Sequence, residues 1–292
     1  MTTTTTARPA PVRLAWIPLI WIGALHALAL LAFVPAFFSW SGVAVCIFLH
    51  WLTGGIGICL TYHRLLTHRS FALRPRWLEY ALTIVGTCAS EGGAIGWISD
   101  HRKHHAHSDE EDDTHTPLRG FLWAHMFWWI KVDEDSKHTP EYYKKWCPDL
   151  CKDPVHRWLE TYHIIFPIML FVGLYLVGGI SWLVWGGFVR TVFVLHSTWF
   201  VNSASHVWGY RSHVTRDRST NLWWVALLTY GEGWHNNHHA HQTTARHGLR
   251  WWEIDMTYIS IQVMKFCHIA YDIRLPKTRS AGPSATVGAS SS

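Results

Sequence analysis

Three histidine clusters dominate the chemistry that this sequence can do. His235-Asn-Asn-His238-His239 follows Gly231-Glu-Gly-Trp234, and the same spacing recurs at His101-Arg-Lys-His104-His105. Positions i, i+3 and i+4 of a helical turn share a face, so each cluster aims three imidazoles at one point. His63 and His68 are five residues apart. On an ideal helix that is about 140° of rotation, so both reach one site only where the helix ends or bends between them. His206 adds a ninth ring. A solitary histidine is ordinarily a bonded core or surface group, but two repeats of one pattern set in apolar sequence point to metal.

Nine imidazoles exceed the needs of one ion and suit two ions of five or six ligands, whereas a structural zinc is satisfied by four. Two neighbouring ions imply redox work or two-metal hydrolysis. Neutral imidazoles bind divalent iron, which, unlike zinc, can activate dioxygen. Asn202, four residues before His206, is placed to hold a water on one ion and so leave an exchangeable position. Glu232 and Asp100 are candidate carboxylates for the other ring N–H of a ligand, with an interfacial salt bridge as the alternative for each. The acidic run Asp109-Glu-Glu-Asp-Asp113 reads equally as a solvated loop or as a metal- or partner-binding segment. No Gly-x-Gly-x-x-Gly, P-loop, Gly-x-Ser-x-Gly or His-Glu-x-x-His motif competes. The six cysteines show neither a paired zinc spacing nor a disulfide framework.

The elements that must position these rings are apolar. Of 292 residues, 49% are hydrophobic and 15% charged, and the charges fall mostly between apolar blocks. Segments 14–38, 42–60, 159–180 and 182–201 are long enough to cross a bilayer as helices, which predicts an all-α integral membrane protein with a helical cap on one side. Arg190 is costly within the last segment unless it pairs or snorkels, and His26 reads as a bonded interior group. Residues 77–98 predict an interfacial helix pair broken at Gly92-Gly93, and 121–130 an amphipathic helix in the headgroup layer. Residues 1–13 and 275–292 read as disordered ends of a membrane domain spanning 14–274. Four crossings return the chain to its starting side, so both termini and all nine histidines face the cytoplasm, in the inner membrane if the cell is bacterial. The net charge of +5 suits a surface near anionic lipid. No arginine-rich face alternates with stacking platforms, which argues against nucleic acid.

With Asn202-Ser203 ahead of His206, the three boxes resemble those of the membrane fatty-acid desaturases. They are most similar to the acyl-CoA delta-9 (stearoyl-CoA-type) enzymes and the related bacterial and cyanobacterial acyl-lipid desaturases. The likeness runs over 49–252 and includes Trp97-Ile-Ser-Asp-His101, His115-Thr-Pro117, Gly120-Phe121 and Gly231-Glu-Gly-Trp-His235. It implies four transmembrane helices under a cytoplasmic cap and a diiron centre without carboxylate ligands. The nine histidines, His63, His68, His101, His104, His105, His206, His235, His238 and His239, match the family's ligands, and Asn202 its water-mediated contact. A bent tunnel, dioxygen as co-substrate and a cis double bond, at delta-9, in a saturated acyl chain of acyl-CoA or acyl-lipid are further implications. Electrons would come from a separate donor of ferredoxin, cytochrome b5 or rubredoxin type, since no His-Pro-Gly-Gly haem signature or iron–sulfur cysteine set is present. Arg119, Arg211, Arg216 and Arg218 are candidate headgroup contacts for a CoA phosphate, although arginines facing the cytoplasm near lipid need no ligand. The rival readings are a membrane diiron fatty acid hydroxylase or alkane monooxygenase, then a membrane zinc hydrolase, then a metal transporter.

Overall fold

The computed structural model describes residues 12–133 and 138–276; residues 1–11 of the expected lead and 277–292 of the expected tail lie outside them. Helices dominate. Two short antiparallel ribbons tie distant segments, Val12–Leu14 on Lys131–Asp133 and Ala72–Leu73 on Ala270–Tyr271.

Three helical stretches are long and apolar enough to cross a membrane: Trp16–Phe33, which opens with α1 (Trp16–Ala29), then α2 (Trp40–Thr67), then Ile165–His206. In α2, 61% of the most apolar window is buried, against 11% in either of the others, so α2 is the central element. The third stretch has 42 residues. Straight, it would run about 63 Å, twice the roughly 30 Å of a hydrocarbon core. It turns back instead at Gly179, whose φ of 66° and ψ of −161° favour glycine. Phe171 then meets Phe188 at 5.6 Å, which sets α8 (Ile165–Trp182) against the segment that leads into α9 (Arg190–Ser203). The apolar helix thus begins at Ile165 rather than at 159. Leu159 belongs to a separate helix, α7 (Pro154–Thr161), which Asp153 starts by capping the amides of Val155 and His156 ahead of Pro154.

The buried Arg190 is held by main chain, donating Nε to Gly186 O at 3.0 Å and Nη1 to Cys88 O at 2.7 Å. His26 is likewise bonded, to Ile22 O and to His196. Beyond it, His196 contacts His125 at 2.9 Å, and His125 contacts Ser203, so a row of rings fastens α1 to α9 and to the helical segment Trp123–Phe127.

The expected break at Gly92-Gly93 is present. It separates α3 (Arg76–Thr87) from α4 (Ala94–His107), with Gly92 at φ 91°. α3 lies tight on α2 where Gly57 faces Gly86; a Cβ on Gly57 would sit 2.8 Å from Gly86 Cα. The N-terminus of α4 is closed from α7, because Glu160 accepts the amides of Ile95 (2.7 Å) and Gly96 (3.2 Å) where the helix dipole favours an anion. Within the second histidine box, Arg102 donates Nη2 to Leu66 O at 2.9 Å and Nε to Thr67 O at 3.3 Å, which ties the box to the end of α2 that holds the first.

Candidate metal centre

The nine histidines form two groups. Ring nitrogens of His63, His68, His101, His105 and His238 lie within 4.8 Å of one another, as do those of His104, His206, His235 and His239. α4 splits its box: His101 and His105, one turn apart, face the first group and His104 the second. Helix α11 (His235–Ala240) divides its own, with His238 in the first group and His235 and His239 in the second.

The pair His63 and His68 converges by one of the two routes expected: with His68 as its cap, α2 ends at Thr67, between them. The winding of the helix contributes as well. From His50 it winds in the wider i→i+5 pattern, with His68 N–H bonded to His63 O at 3.1 Å. Residues five apart then share a face, and such wide turns recur at functional sites.

The residues present fit a pair of ions. Facing Nε2 atoms are 3.2 Å apart in His63–His238, 3.0 Å in His238–His105 and His105–His101, and 3.1 Å in His235–His206. Two nitrogens each about 2.1 Å from one ion, at a right angle, lie about 3.0 Å apart. Nε2 of His68, His104 and His239 is buried without any hydrogen-bond partner, a costly state unless a ligand completes it.

Carboxylates hold the other ring nitrogen of four of these candidate ligands. Nδ1 of His63 is 2.9 Å from Glu232, Nδ1 of His104 is 2.9 Å from Asp113, Nδ1 of His206 is 3.0 Å from Asp109 and Nδ1 of His239 is 2.8 Å from Asp217. Each contact leaves Nε2 for metal and fixes the ring. Glu232 was expected in this role. Asp100 was as well, but it accepts from His138 Nε2 and Tyr142 OH instead; one residue before His101, it points about 100° away from the ligand face. The acidic run proves to be structural at both ends, Asp109 and Asp113. Asp217 and two further buried rings were not anticipated. His247 places Nδ1 2.9 Å from Glu232 and its ring 4.3 Å from that of His238; His115 lies 4.3 Å from His104. Neither ring falls at helical spacing from its partner, His115 lying beyond the end of α4 and His247 beyond the end of α11, so no i, i+3, i+4 pattern flags them.

Burial, reinforced by neighbouring rings, holds His101, His105, His235 and His238 well below the ordinary imidazole value, so they are neutral and ready for metal near pH 7. Burial opposes charge on Glu232 too, yet Arg64, His63 and His247 outweigh it and keep the carboxyl ionised. Asp113 and Asp217 are held below the usual carboxylate range in the same way, by His104 and His239 respectively.

A cavity of about 1070 Å³ reaches the centre at His63, His101 and His235 and runs to Ile17 and Pro18 of α1 and Ile164 and Pro167 near the start of α8. It exceeds the roughly 300–1,000 Å³ of ordinary small-ligand sites. Asn202, Glu232 and Arg119 also line it, whereas Arg211, Arg216 and Arg218 do not.

Comparison with known proteins agrees with this arrangement. The profile of the family described as fatty acid desaturase matches residues 38–262. The chain is 46% identical to the sn-1 stearoyl-lipid 9-desaturase of Anabaena variabilis, over 94% of this chain and 98% of that one. It is 48% identical to the sn-2 palmitoyl-lipid 9-desaturase of Nostoc sp. (strain 36), over 88% and 90%, and 44% identical to an acyl-CoA C20 Delta5-desaturase of Anemone leveillei, over 88% and 81%. Two histidine groups fit to hold a dimetal site at the end of a long cavity, in a chain this similar along its length, have one reading: the protein belongs to the fatty acid desaturase family and is an oxygen-dependent acyl desaturase.

Proposed function

We propose that this chain is a delta-9-type acyl-lipid desaturase that crosses the membrane four times, with both termini and the histidine boxes on the cytoplasmic side. The observation that carries this reading is the junction of the paired histidine groups with a cavity that extends to exposed residues at the starts of two membrane helices, Ile17 and Ile164. The fold-back at Gly179 supports the fourth crossing.

Two iron ions would be held by the nine histidines, with Asn202 acting through water, and would supply the dioxygen chemistry. Overall, a saturated acyl chain, dioxygen, two electrons and two protons give a cis-monounsaturated chain and two waters. The electrons come from a separate carrier of ferredoxin, cytochrome b5 or rubredoxin type.

The chain's own residues position the substrate. Trp97 stacks on His101 at 5.0 Å and donates Nε1 to Glu91 at 2.9 Å, while Thr198 donates to the other oxygen of Glu91 at 2.7 Å. This bridge joins the α3–α4 turn to α9 beside the centre and fixes one wall of the acyl path. Ile58, Cys59 and Trp199 line it without charge and keep water from the reacting carbons. Arg119 and Lys131, also on its lining, suit a lipid headgroup phosphate. A lipid-bound substrate is favoured over acyl-CoA because the cavity reaches the membrane face of α1 and α8, and because two of the similar relatives are named for lipid substrates.

Expression in cells lacking their own desaturase, followed by mass spectrometry that locates double bonds within intact lipids, tests this. A new cis-9 chain in membrane lipid is expected. Hydroxylated chains would identify a diiron monooxygenase, and unsaturation confined to the acyl-CoA pool an acyl-CoA enzyme.

A further inference from the structure

Helix α12 (Met256–Phe266) is apolar on two sides. Its inner side is buried at Thr257 and Ile261, and Ile261 joins the core cluster that holds Ile58, Leu60 and Leu65 of α2. Its outer side presents Met256, Ile259, Val263 and Phe266, all exposed, at the i, i+3, i+7, i+10 spacing of one helical stripe. Trp251 and Ile254, 93% and 63% exposed, lead into it. Residues 256–266 carry no carboxylate and a single cation, Lys265. A contiguous apolar surface of this kind marks a contact.

The bonds at the start of α12 set its level. Thr257 donates its amide and its hydroxyl to Tyr230 O, each at 2.9 Å. Tyr230 OH meets Nδ1 of His50 in α2 at 2.6 Å, and its ring flanks Gly55, where a Cβ would lie 3.0 Å from Tyr230 and 3.3 Å from Trp51. Counted from Trp40, Gly55 is at most about 23 Å along α2, inside the roughly 30 Å of a hydrocarbon core. Ile47, Phe48 and Trp51 are exposed on that same span, so the outer stripe of α12 continues a surface that faces lipid. The short helix α10 (Trp223–Leu228), which leads to Tyr230, likewise exposes Trp223 and Leu227, one turn apart. Tryptophan and a lone cation beside an apolar stripe suit the headgroup boundary. Asp255 caps α12 by accepting the amide of Tyr258 at 2.9 Å and also bonds Arg64, the neighbour of His63, so one carboxylate links this helix to the metal centre.

We propose that α12, with Trp251 and Ile254, is embedded in the leaflet on the side of the metal centre, its outer stripe covered by acyl chains, and that it holds the centre at a fixed depth from the headgroups. The inference goes beyond the acyl-lipid reading and needs only that α2 crosses the bilayer.

The test places a nitroxide on the full chain in phosphatidylcholine and phosphatidylglycerol nanodiscs that hold one chain each. The three cysteines that are not buried, Cys88, Cys151 and Cys267, are first replaced by serine. Labels then go at Ile259→Cys and Val263→Cys, at Phe48→Cys as the lipid-facing reference, and at Lys144→Cys, on the exposed side of Pro140–Trp146, as the aqueous reference. Collision with oxygen, which concentrates in hydrocarbon, is compared with collision with a water-soluble nickel chelate. The oxygen-to-nickel ratio at both α12 sites should match that at Phe48→Cys and exceed that at Lys144→Cys several-fold. A ratio equal to that at Lys144→Cys overturns the proposal; spin–spin broadening in discs of two chains would then assign the stripe to a second copy, and its absence to water or a soluble partner. Met256→Cys replaces either label if that variant loses helical content or its single elution peak. Neither reagent reads turnover, so a failed desaturase reading and a failed anchor are seen separately.

Discussion

Arg64 donates its Nε to Oε1 of Glu232 at 2.9 Å, and both side chains are sealed from solvent. Arg64 also bonds Asp255 at 2.9 Å, while the other oxygen of Glu232 faces His63. A candidate metal ligand is thus oriented by a carboxylate whose charge is sustained by an arginine one residue along. Arg64→Leu leaves two buried carboxylates short of their cation and should cost about 3–5 kcal/mol. The melting temperature in detergent and the iron stoichiometry should fall together; a stable, iron-replete variant would contradict this.

The aspartates behind the ligands separate by role. Asp217→Asn and Asp109→Asn weaken the hold on His239 and His206, and each should lower metal affinity about 10–100-fold. Asp100→Asn, whose partners are His138 and Tyr142, should leave affinity within about threefold while loosening the link to Pro140–Trp146. Competition with a chelator of known affinity ranks the three.

Glu91 supplies a pH dependence. Burial, opposed by hydrogen bonds from Thr198 and Trp97, pushes its carboxyl from 4.5 up to about 7. Between those values the folded chain holds a proton that the unfolded chain has released, so this group's contribution to stability falls as pH rises through the window and levels off above about 7. Glu91→Gln removes that slope and should gain about 3 kcal/mol at pH 8 and much less at pH 5. Thermal unfolding at the two pH values checks it, and parallel curves for variant and wild type would be the wrong result.

Gly57→Ala drives a methyl into the backbone of Gly86, which cannot rotate aside. The strain should cost about 1–3 kcal/mol and, by parting α3 from α2, lower desaturation more than it lowers expression. Gly23→Ala, where nothing lies within 4 Å, is the matched control.

The boxes at His101 and His235 were legible because the i, i+3, i+4 spacing states within five residues what a helix will do with them. Arg190 was legible as a cost, but its answer, the carbonyls of Gly186 and Cys88, depends on a packing that no local pattern encodes. The carboxylates show the limit most clearly. Asp100 adjoins a ligand in sequence yet points elsewhere, whereas Asp109 reaches His206 across 97 residues and Asp217 reaches His239 across 22. Chain neighbours on a helix diverge, and the partners that fix a ring come from whichever loop the fold lays over it.

The wide winding of α2 makes the gap between His63 and His68 a matter of chain length as much as of residue type. Tightening that stretch to ordinary pitch, with the spacing kept at five, would turn the two rings about 140° apart and swing one of them out of the site. A spacing of five therefore demands the loose winding, and a change of winding alone would break the site with both histidines still in place. The separation of these two candidate ligands is locked to the gauge of the helix that carries them.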